Sequence, residues 1–203
     1  MAINLANNNS LANITALPSS ISGGAMTLLA TQTASSSATI SFTSGIDSTY
    51  DSYVFKFINI HGSADNSDLT FNCSTDSGSN YNVTKTTTMF RAIHNEAGNS
   101  TTLGYDTGGD LAQSTNFQPL IRSIGTDNDQ CGVGTMQFFS PSSSVFVKHF
   151  IQTSNSYGSA SNDYSRNQFF AGYMNTTSAI DAVQFKMSSG NIDSGVIKLY
   201  GIS

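Results

Sequence analysis

Ionic side chains are scarce in this chain, and its first 46 residues contain none: the first acidic residue is Asp47 and the first basic one is Lys56. Charged residues occupy only 10% of the 203 positions, whereas about a quarter is usual in soluble domains. The eight lysines and arginines are spread along the sequence, and the net charge is −5. Because binding to phosphates requires clustered basic side chains, we expect no nucleic-acid partner.

Long apolar runs are also missing. No run approaches the roughly 18 residues that a membrane-spanning helix requires. No basic segment precedes an apolar one at the N-terminus, as a secretory signal would require. We therefore expect a chain without a membrane partner that is made in a cytoplasm.

Only two cysteines occur, Cys73 and Cys131, and they form no CxxC motif. Thiols in proteins behave mostly as small apolar groups, so we expect two buried free thiols. A disulfide between them stays an open alternative, because spacing in sequence does not decide pairing.

Catalytic motifs are missing as well: there is no GxSxG elbow, no HExxH and no phosphate loop. Most acidic residues lie in turn clusters, where Asp bonds to nearby backbone, so no carboxylate pair stands out for glycoside hydrolysis. The best metal candidate is Asp127-Asn128-Asp129, but Phe138 stands where an EF-hand requires Glu. We expect no enzyme, no cofactor and no metal; a depolymerase and a calcium site are the alternatives.

The residues that are abundant favour β-structure. The chain has 33 Ser, 22 Thr, 19 Asn, 13 Phe and 8 Tyr, but a single Glu, and Thr, Tyr and Phe prefer strands. Alternation is clear in Ser52–Ile60, where Tyr53, Phe55 and Phe57 share one face. Short runs of this kind between turn clusters predict an all-β, antiparallel, jelly-roll-like β-sandwich over residues 25–203. The predicted strands are Met26–Thr33, Ala38–Thr43, Ser52–Ile60, Asp68–Ser74, Asn82–His94, Thr101–Tyr105, Val133–Ser140, Val145–Thr153, Gln168–Met174, Ala179–Met187 and Gly195–Gly201.

Two further predictions concern these elements. No helix of normal length is expected, and Gly109–Phe117 is the best candidate for one or two helical turns. Four strands carry a lone lysine, and we expect these lysines to point outward and to protect strand edges, or alternatively to contact neighbouring subunits. They are Lys56, Lys148, Lys186 and Lys198.

The uncharged N-terminal segment, residues 1–24, is predicted to be an extended assembly arm. Disordered tails usually carry charge, whereas this segment combines Asn, Ser and Thr with scattered aliphatic residues, so it suits a protein surface. The proposed contact residues are Ile3, Leu5, Leu11, Ile14, Leu17, Pro18 and Ile21.

The C-terminal segment Thr176–Ile202, with its core SSGNIDSGVIKLYGI, resembles the ends of small virion proteins of tailed bacteriophages of marine bacteria. Ile40–Tyr50 leading into Tyr53–Phe57, and Asn9–Pro18 in the arm, are similar to the same group. The resemblance implies a jelly-roll β-sandwich displayed on the virion, often as a homotrimer, with other capsid or tail proteins as partners. It implies no catalytic residue.

Together these features predict a non-catalytic virion structural protein, either a capsid-surface decoration or a fibre component. The alternative is a host-receptor or carbohydrate-binding module of a tail fibre that binds a host surface glycan. Aromatic and small polar residues mix in Ser154–Tyr164 as they do in adaptable binding loops, and Tyr105 is expected in a similar loop. Tyr157, Asp163 and Tyr164 are the candidate ligand-binding residues.

Overall fold

The computed structural model describes residues 26–158 and 163–202, and in these ranges the chain forms strands and turns without a helix. The predicted all-β antiparallel sandwich is confirmed. The predicted arm, residues 1–24, lies outside the described residues. The strands are β1 (Met26–Ser37), β2 (Ile40–Phe42), β3 (Ser52–Gly62), β4 (Ser67–Ser74), β5 (Lys85–Asn95), β6 (Thr101–Tyr105), β7 (Gln118–Ile124), β8 (Gly132–Phe139), β9 (Lys148–Gly158), β10 (Tyr164–Met174), β11 (Ala182–Met187) and β12 (Ile192–Ile202).

Two antiparallel sheets contain these strands, one in the order β1-β12-β3-β8-β9-β10-β5-β6 and the other in the order β2-β11-β4-β7. Two hairpins, β5–β6 and β9–β10, are insertions. When the other eight strands are renumbered in chain order, the sheets read 1-8-3-6 and 2-7-4-5, which is the jelly-roll arrangement. We call those eight strands the jelly-roll half. The inserted hairpins are the hairpin extension, and they lengthen the larger sheet beyond β8.

Aromatic side chains fill the interior of the jelly-roll half. Phe55 and Phe57 of β3 are 0% and 2% exposed, and both meet Phe185 of β11 edge-to-face, with ring centroids 5.2 and 5.3 Å apart. Phe42 and Phe71 complete the group around Phe185. Each such side chain contributes roughly 1.5–3 kcal/mol by leaving water. The alternation read from Ser52–Ile60 is confirmed for its inward face.

The interior of the hairpin extension is mixed: Phe150 and Phe170 are buried there, and a set of polar side chains is buried beside them. Ser154 and Ser156 of β9 are buried, and their hydroxyls donate to the carbonyl oxygens of Leu120 and Arg122 in β7, both at 2.8 Å. The Arg122 amide in turn donates to Gln168 Oε1 at 3.0 Å. Buried polar groups require partners, and these side chains find them on the backbone of the opposite sheet.

The short helix considered for Gly109–Phe117 is wrong. This segment runs beside β5, where the Thr87 amide donates to the Leu111 carbonyl at 2.8 Å and the Lys85 amide to the Ser114 carbonyl at 2.9 Å. The β5 strand needs a partner beyond the end of β6, and the segment supplies its backbone for that role.

The expectation that the four lysines protect strand edges is also wrong, since each lies in a strand with neighbours on both sides. Lys148 is 0% exposed, and its Nζ donates to the Thr176 carbonyl at 3.1 Å. Lys186 is half-buried, with its Nζ 4.1 Å from the centre of the Phe117 ring. Lys56 and Lys198 are half-buried and directly paired across β3 and β12.

Candidate functional site

The residues predicted to form a ligand-binding loop lie instead on a hairpin. The β9 strand continues to Gly158 and β10 begins at Tyr164, so Tyr157 is a strand residue and residues 159–162 at the tip lie outside the described part. Asp163 is exposed, and its carbonyl oxygen accepts a hydrogen bond from the Glu96 amide at 2.8 Å. Tyr105, also expected in a loop, ends β6.

Tyr164 is not displayed as expected, because only 9% of it is exposed. Its ring packs over Gly158, where an added Cβ would lie 2.2 Å from the ring, and its hydroxyl accepts a bond from Arg166 Nη2 at 3.1 Å. The Arg166 guanidinium also lies 5.1 Å from the ring centre. Tyr164 therefore has a packing role.

Tyr157 borders a shallow depression of about 210 Å³ at the end of the hairpin. Desolvation, with a smaller effect of nearby Asp163 and Glu96, raises the pKa of Tyr157, so its hydroxyl remains a donor at neutral pH. His94 and Asn155 add polar groups to the same depression. The structure thus brings Tyr157 together with hydrogen-bonding partners, but it removes Tyr164 from the exposed set.

A larger exposed surface lies on the outer face of the hairpin extension. Along β9, β10, β5 and β6, inward positions alternate with outward ones, and no outward position holds Asp, Glu, Lys or Arg. Those outward residues are His149, Ile151, Thr153, Asn155, Tyr157, Ser165, Asn167, Phe169, Ala171, Tyr173, Thr86, Thr88, Phe90, Ala92, His94, Thr101, Leu103 and Tyr105.

Apolar side chains gather at the centre of this face. Phe169, Phe90 and Tyr105 are directly paired across β10, β5 and β6, and the rings of Phe90 and Phe169 stack at 4.7 Å. Leu103 is 78% exposed, Tyr105 57%, Ile151 56% and Phe90 47%. We call the following five residues the apolar patch: Phe90, Leu103, Tyr105, Ile151 and Phe169. The patch reaches β6, which is the last strand of the larger sheet.

Beside the patch, the outer face contains a groove of about 430 Å³ between β9, β10 and β5. Its walls include His149 and Tyr173, whose rings lie 6.0 Å apart, and Ile151. Gly172 contributes backbone to the groove from an inward position of β10, where an added Cβ would be 2.6 Å from the Thr86 carbonyl oxygen. Glycine therefore permits a close approach of β10 to β5 beneath the groove.

Beneath this face lies an ionic network that contains Arg91 and Arg122. Arg91 and Arg122 both contact Asp106, at 2.7 and 2.8 Å, and Arg122 Nε contacts Asp68 at 3.3 Å. Burial acts to raise the pKa of Asp106, but the Gly108 amide and the two guanidinium groups together lower it. The carboxylate stays ionised, and the network connects β5 and β7 under the outer face.

A second group of polar residues surrounds a depression of about 400 Å³. It lies in the jelly-roll half, where β3, β12 and the segment before β8 meet. It contains Asp129, Cys131 and His61, whose Nδ1 lies 3.6 Å from Asp193 Oδ2. Within the described ranges, no three or more His, Cys, Asp or Glu side chains are placed to hold a metal ion. Asp127, one of the candidate calcium ligands, bonds instead to Gln130: the Asp127 amide donates to Gln130 Oε1 at 3.2 Å.

Both cysteines are free thiols, Cys73 buried and Cys131 half-buried. Burial raises the pKa of Cys73 to about 12, so this thiol is neutral and unreactive at neutral pH. No helix in residues 26–158 or 163–202 is long and apolar enough to cross a membrane.

The sequence analysis did not predict the apolar patch. One signal was available: Phe169 and Phe170 are adjacent in a strand. Neighbouring side chains in a strand point to opposite faces, so only one of the two can be inward. Phe170 is 1% exposed and Phe169 is the outward one.

Comparison of the chain with protein-family models, curated proteins and solved structures finds no match. The fold still shows where the segments with a resemblance lie. Ile40–Tyr50 contains β2, Tyr53–Phe57 lies in the first half of β3, and Thr176–Ile202 contains β11 and β12. These strands are neighbours, β2 with β11 and β3 with β12, so the resemblance falls on the jelly-roll half.

Proposed function

We propose that this chain is a non-catalytic structural protein of a tailed-phage virion, either a capsid-surface decoration or a fibre component. It is made in the host cytoplasm and attaches to other virion proteins through residues 1–24, and it displays the β-sandwich. The observation that carries the proposal is a jelly roll whose first strand follows directly on an uncharged, aliphatic segment. Jelly rolls are recurrent in viral capsid proteins.

The start of β1 supports attachment through the preceding residues. This strand is an outer strand of the larger sheet, paired with β12 in the described part of the chain, and it contains no charged residue or proline. Met26 and Leu28 are 41% and 51% exposed. Open, uncharged strand edges are normally protected, so a partner that covers this edge fits both its backbone and its apolar side chains.

The resemblance of the jelly-roll strands to small phage virion proteins adds independent support. It also favours a homo-oligomer, with a trimer as the expected state. A virion role requires no basic surface, and this chain has few basic residues.

Incorporation into phage particles tests the attachment role. Deletion of residues 1–22 is expected to leave a folded domain that no longer enters particles. Leu11→Ser, Ile14→Ser and Leu17→Ser together should have the same effect, because they remove apolar contacts at constant length. The matched control replaces Asn7, Asn8 and Asn9 with Ser and should be incorporated normally. Normal incorporation of the truncated chain would refute the attachment role.

A second candidate function is glycan binding, which the polar depression at the end of β9 favours. Tyr157, Asn155, His94 and Glu96 offer both donors and acceptors in one place, beside an aromatic ring. A glycan array with host surface polysaccharides tests this function. Binding that is lost in Tyr157→Ala but kept in Tyr200→Ala would support it, and an array without signal would leave decoration as the function.

A further inference from the structure

We propose that the apolar patch on the hairpin extension receives residues 1–24 of a second copy of this chain. The inference rests on the proposed assembly role of residues 1–24, and it names a second copy of this chain as the virion protein that they bind. It predicts a contact in which one copy supplies the segment and the next copy supplies the patch.

Two unsatisfied features meet at this end of the larger sheet. The outer edge of β6 offers backbone groups, and the strand TTLGY has neither the charge nor the proline that commonly protect such edges. Beside it, Leu103 and Tyr105 are more than half exposed. An extended segment that pairs along an edge satisfies the backbone groups and covers the apolar side chains together.

The scarcity of charge on both surfaces indicates the occupant. Along β5, β6, β9 and β10 no outward side chain is Asp, Glu, Lys or Arg, and residues 1–24 contain none either. The carboxylate beside the patch, that of Asp110, already accepts a hydrogen bond from the Tyr105 hydroxyl at 2.6 Å. A charged partner would give up hydration over the centre of this surface without finding an opposite charge there. In an extended segment, Ile3 and Leu5 fall on one face because side chains alternate, so they can cover neighbouring apolar side chains.

The positions of β1 and β6 favour a second copy over the chain's own patch. These strands lie at opposite edges of the eight-stranded sheet, roughly 34 Å apart at about 4.8 Å per strand. A path across the outer face would also cover the Lys56–Lys198 pair, which lies between the two edges, and burial of unpaired charge is costly.

Length permits the exchange between copies. An extended segment of 24 residues reaches roughly 80 Å at about 3.3 Å per residue. Because the donated segment and the receiving patch are different surfaces, the contact is head-to-tail, and such contacts close into rings when the rotation permits.

Mixing of two defective chains tests the proposal. The first lacks residues 1–22 and keeps the patch; the second carries Leu103→Asp and Ile151→Asp and keeps the segment. Light scattering on a sizing column should show an oligomer for the full chain and monomers for each defective chain, with association weakened roughly 30-fold or more as for interface hot spots. An equimolar mixture should form a 1:1 complex, because each partner supplies what the other lacks.

The matched control is Thr177→Asp with Ala179→Asp, which adds the same charge to exposed positions of the loop between β10 and β11. It should remain oligomeric. Circular dichroism checks folding, and Leu103→Ser with Ile151→Thr replaces the Asp variant if that variant unfolds.

The other outcomes are equally informative. If the truncated chain is monomeric while the patch variant stays oligomeric, residues 1–24 act in assembly but the patch proposal is overturned. Two monomeric chains that do not combine would overturn exchange between copies in favour of a chain's own patch. A full chain that is monomeric at micromolar concentration would also overturn exchange between copies. If the patch variant then lost glycan binding, a glycan would be the occupant of the patch.

Discussion

The two halves of the larger sheet differ in their interiors: the jelly-roll half is mainly apolar, whereas the hairpin extension combines buried Phe150 and Phe170 with a polar network. Under the jelly-roll half, Phe55 and Phe57 meet Phe185 in a dry aromatic cluster. Under the hairpin extension, serines, glutamines and arginines bond to the backbone of β7 and to two aspartates. Apolar burial is non-directional and tolerates displacement, whereas a polar network fixes the position of each strand. The hydrogen bonds from Ser154 and Ser156 to β7 therefore fix where β9 lies beneath the exposed outer face.

The largest expected effect is the difference between replacing an inward phenylalanine and replacing an outward one. Phe185→Ala removes the ring at the centre of the aromatic cluster and should lower the free energy of unfolding by about 3–5 kcal/mol, as buried Phe→Ala changes do. The control is Phe169→Ala on the outer face, which should cost about 1 kcal/mol or less because its ring is stacked but partly exposed. Urea unfolding measures both, and equal losses would contradict the assignment of faces.

A somewhat smaller effect is expected in the polar interior. Arg122→Ala leaves Asp68 and Asp106 without their shared partner and should cost about 2–3 kcal/mol, less than a fully buried pair because the side chains are 12–18% exposed. Asp68→Asn with Asp106→Asn in the same chain should restore part of the loss. Hydrogen exchange should show the change in β5 and β7 first. An effect confined to β2 and β11 would contradict this location.

Lys85 sharpens the comparison through pH. This side chain is 0% exposed, its Nζ donates to the Asn116 carbonyl at 2.8 Å, and burial lowers its pKa to about 8. Between pH 8 and 10.5 the unfolded chain holds more protons at this site, so stability should rise with pH. Cys73, whose pKa is raised from 9.0 to about 12, acts in the opposite direction above pH 9. The window that isolates Lys85 is therefore about pH 8–9.

Lys85→Met should remove that rise and increase stability at pH 7 by about 1–3 kcal/mol. Urea unfolding at pH 7, 8 and 9 measures the change, with Lys198→Met as the half-buried control. A destabilised Lys85→Met protein with the rise between pH 8 and 9 intact would show that the ammonium group is better accommodated than the geometry indicates.

The smallest effect is expected from salt. Few exposed ion pairs exist among the described residues, and the Arg–Asp network is largely buried. The Debye length falls from about 14 to 3 Å between about 0.05 and 1 M NaCl, yet the melting temperature should change by only about 2–3 °C, since screening affects mainly exposed charges. Marked unfolding at either salt concentration would contradict the account.

The comparison also explains how much could be predicted from sequence. The jelly-roll half follows the ordinary alternation of apolar and polar residues, so β3, β4 and β8 were predicted close to their observed bounds, whereas β12 begins three residues before its predicted start. In the extension many of the inward residues are themselves polar. Ser154 and Ser156 therefore looked like a loop, and Lys148 like an outward lysine.

The β7 strand was missed for a related reason. Its sequence, QPLIRSI, has a proline at the second position and an arginine near the end. Arg122 is compatible with this half-buried strand only because Asp68 and Asp106 contact it, and those partners are distant in sequence. Only the fold brings the members of this network together.

Cryo-electron microscopy of phage particles that carry this chain tests the central claim most directly. The account predicts the jelly roll on the outside of the head or the tail, with residues 1–24 in contact with an adjacent protein molecule. Particles in which the jelly roll is not on the outside, or in which residues 1–24 contact no neighbour, would contradict it.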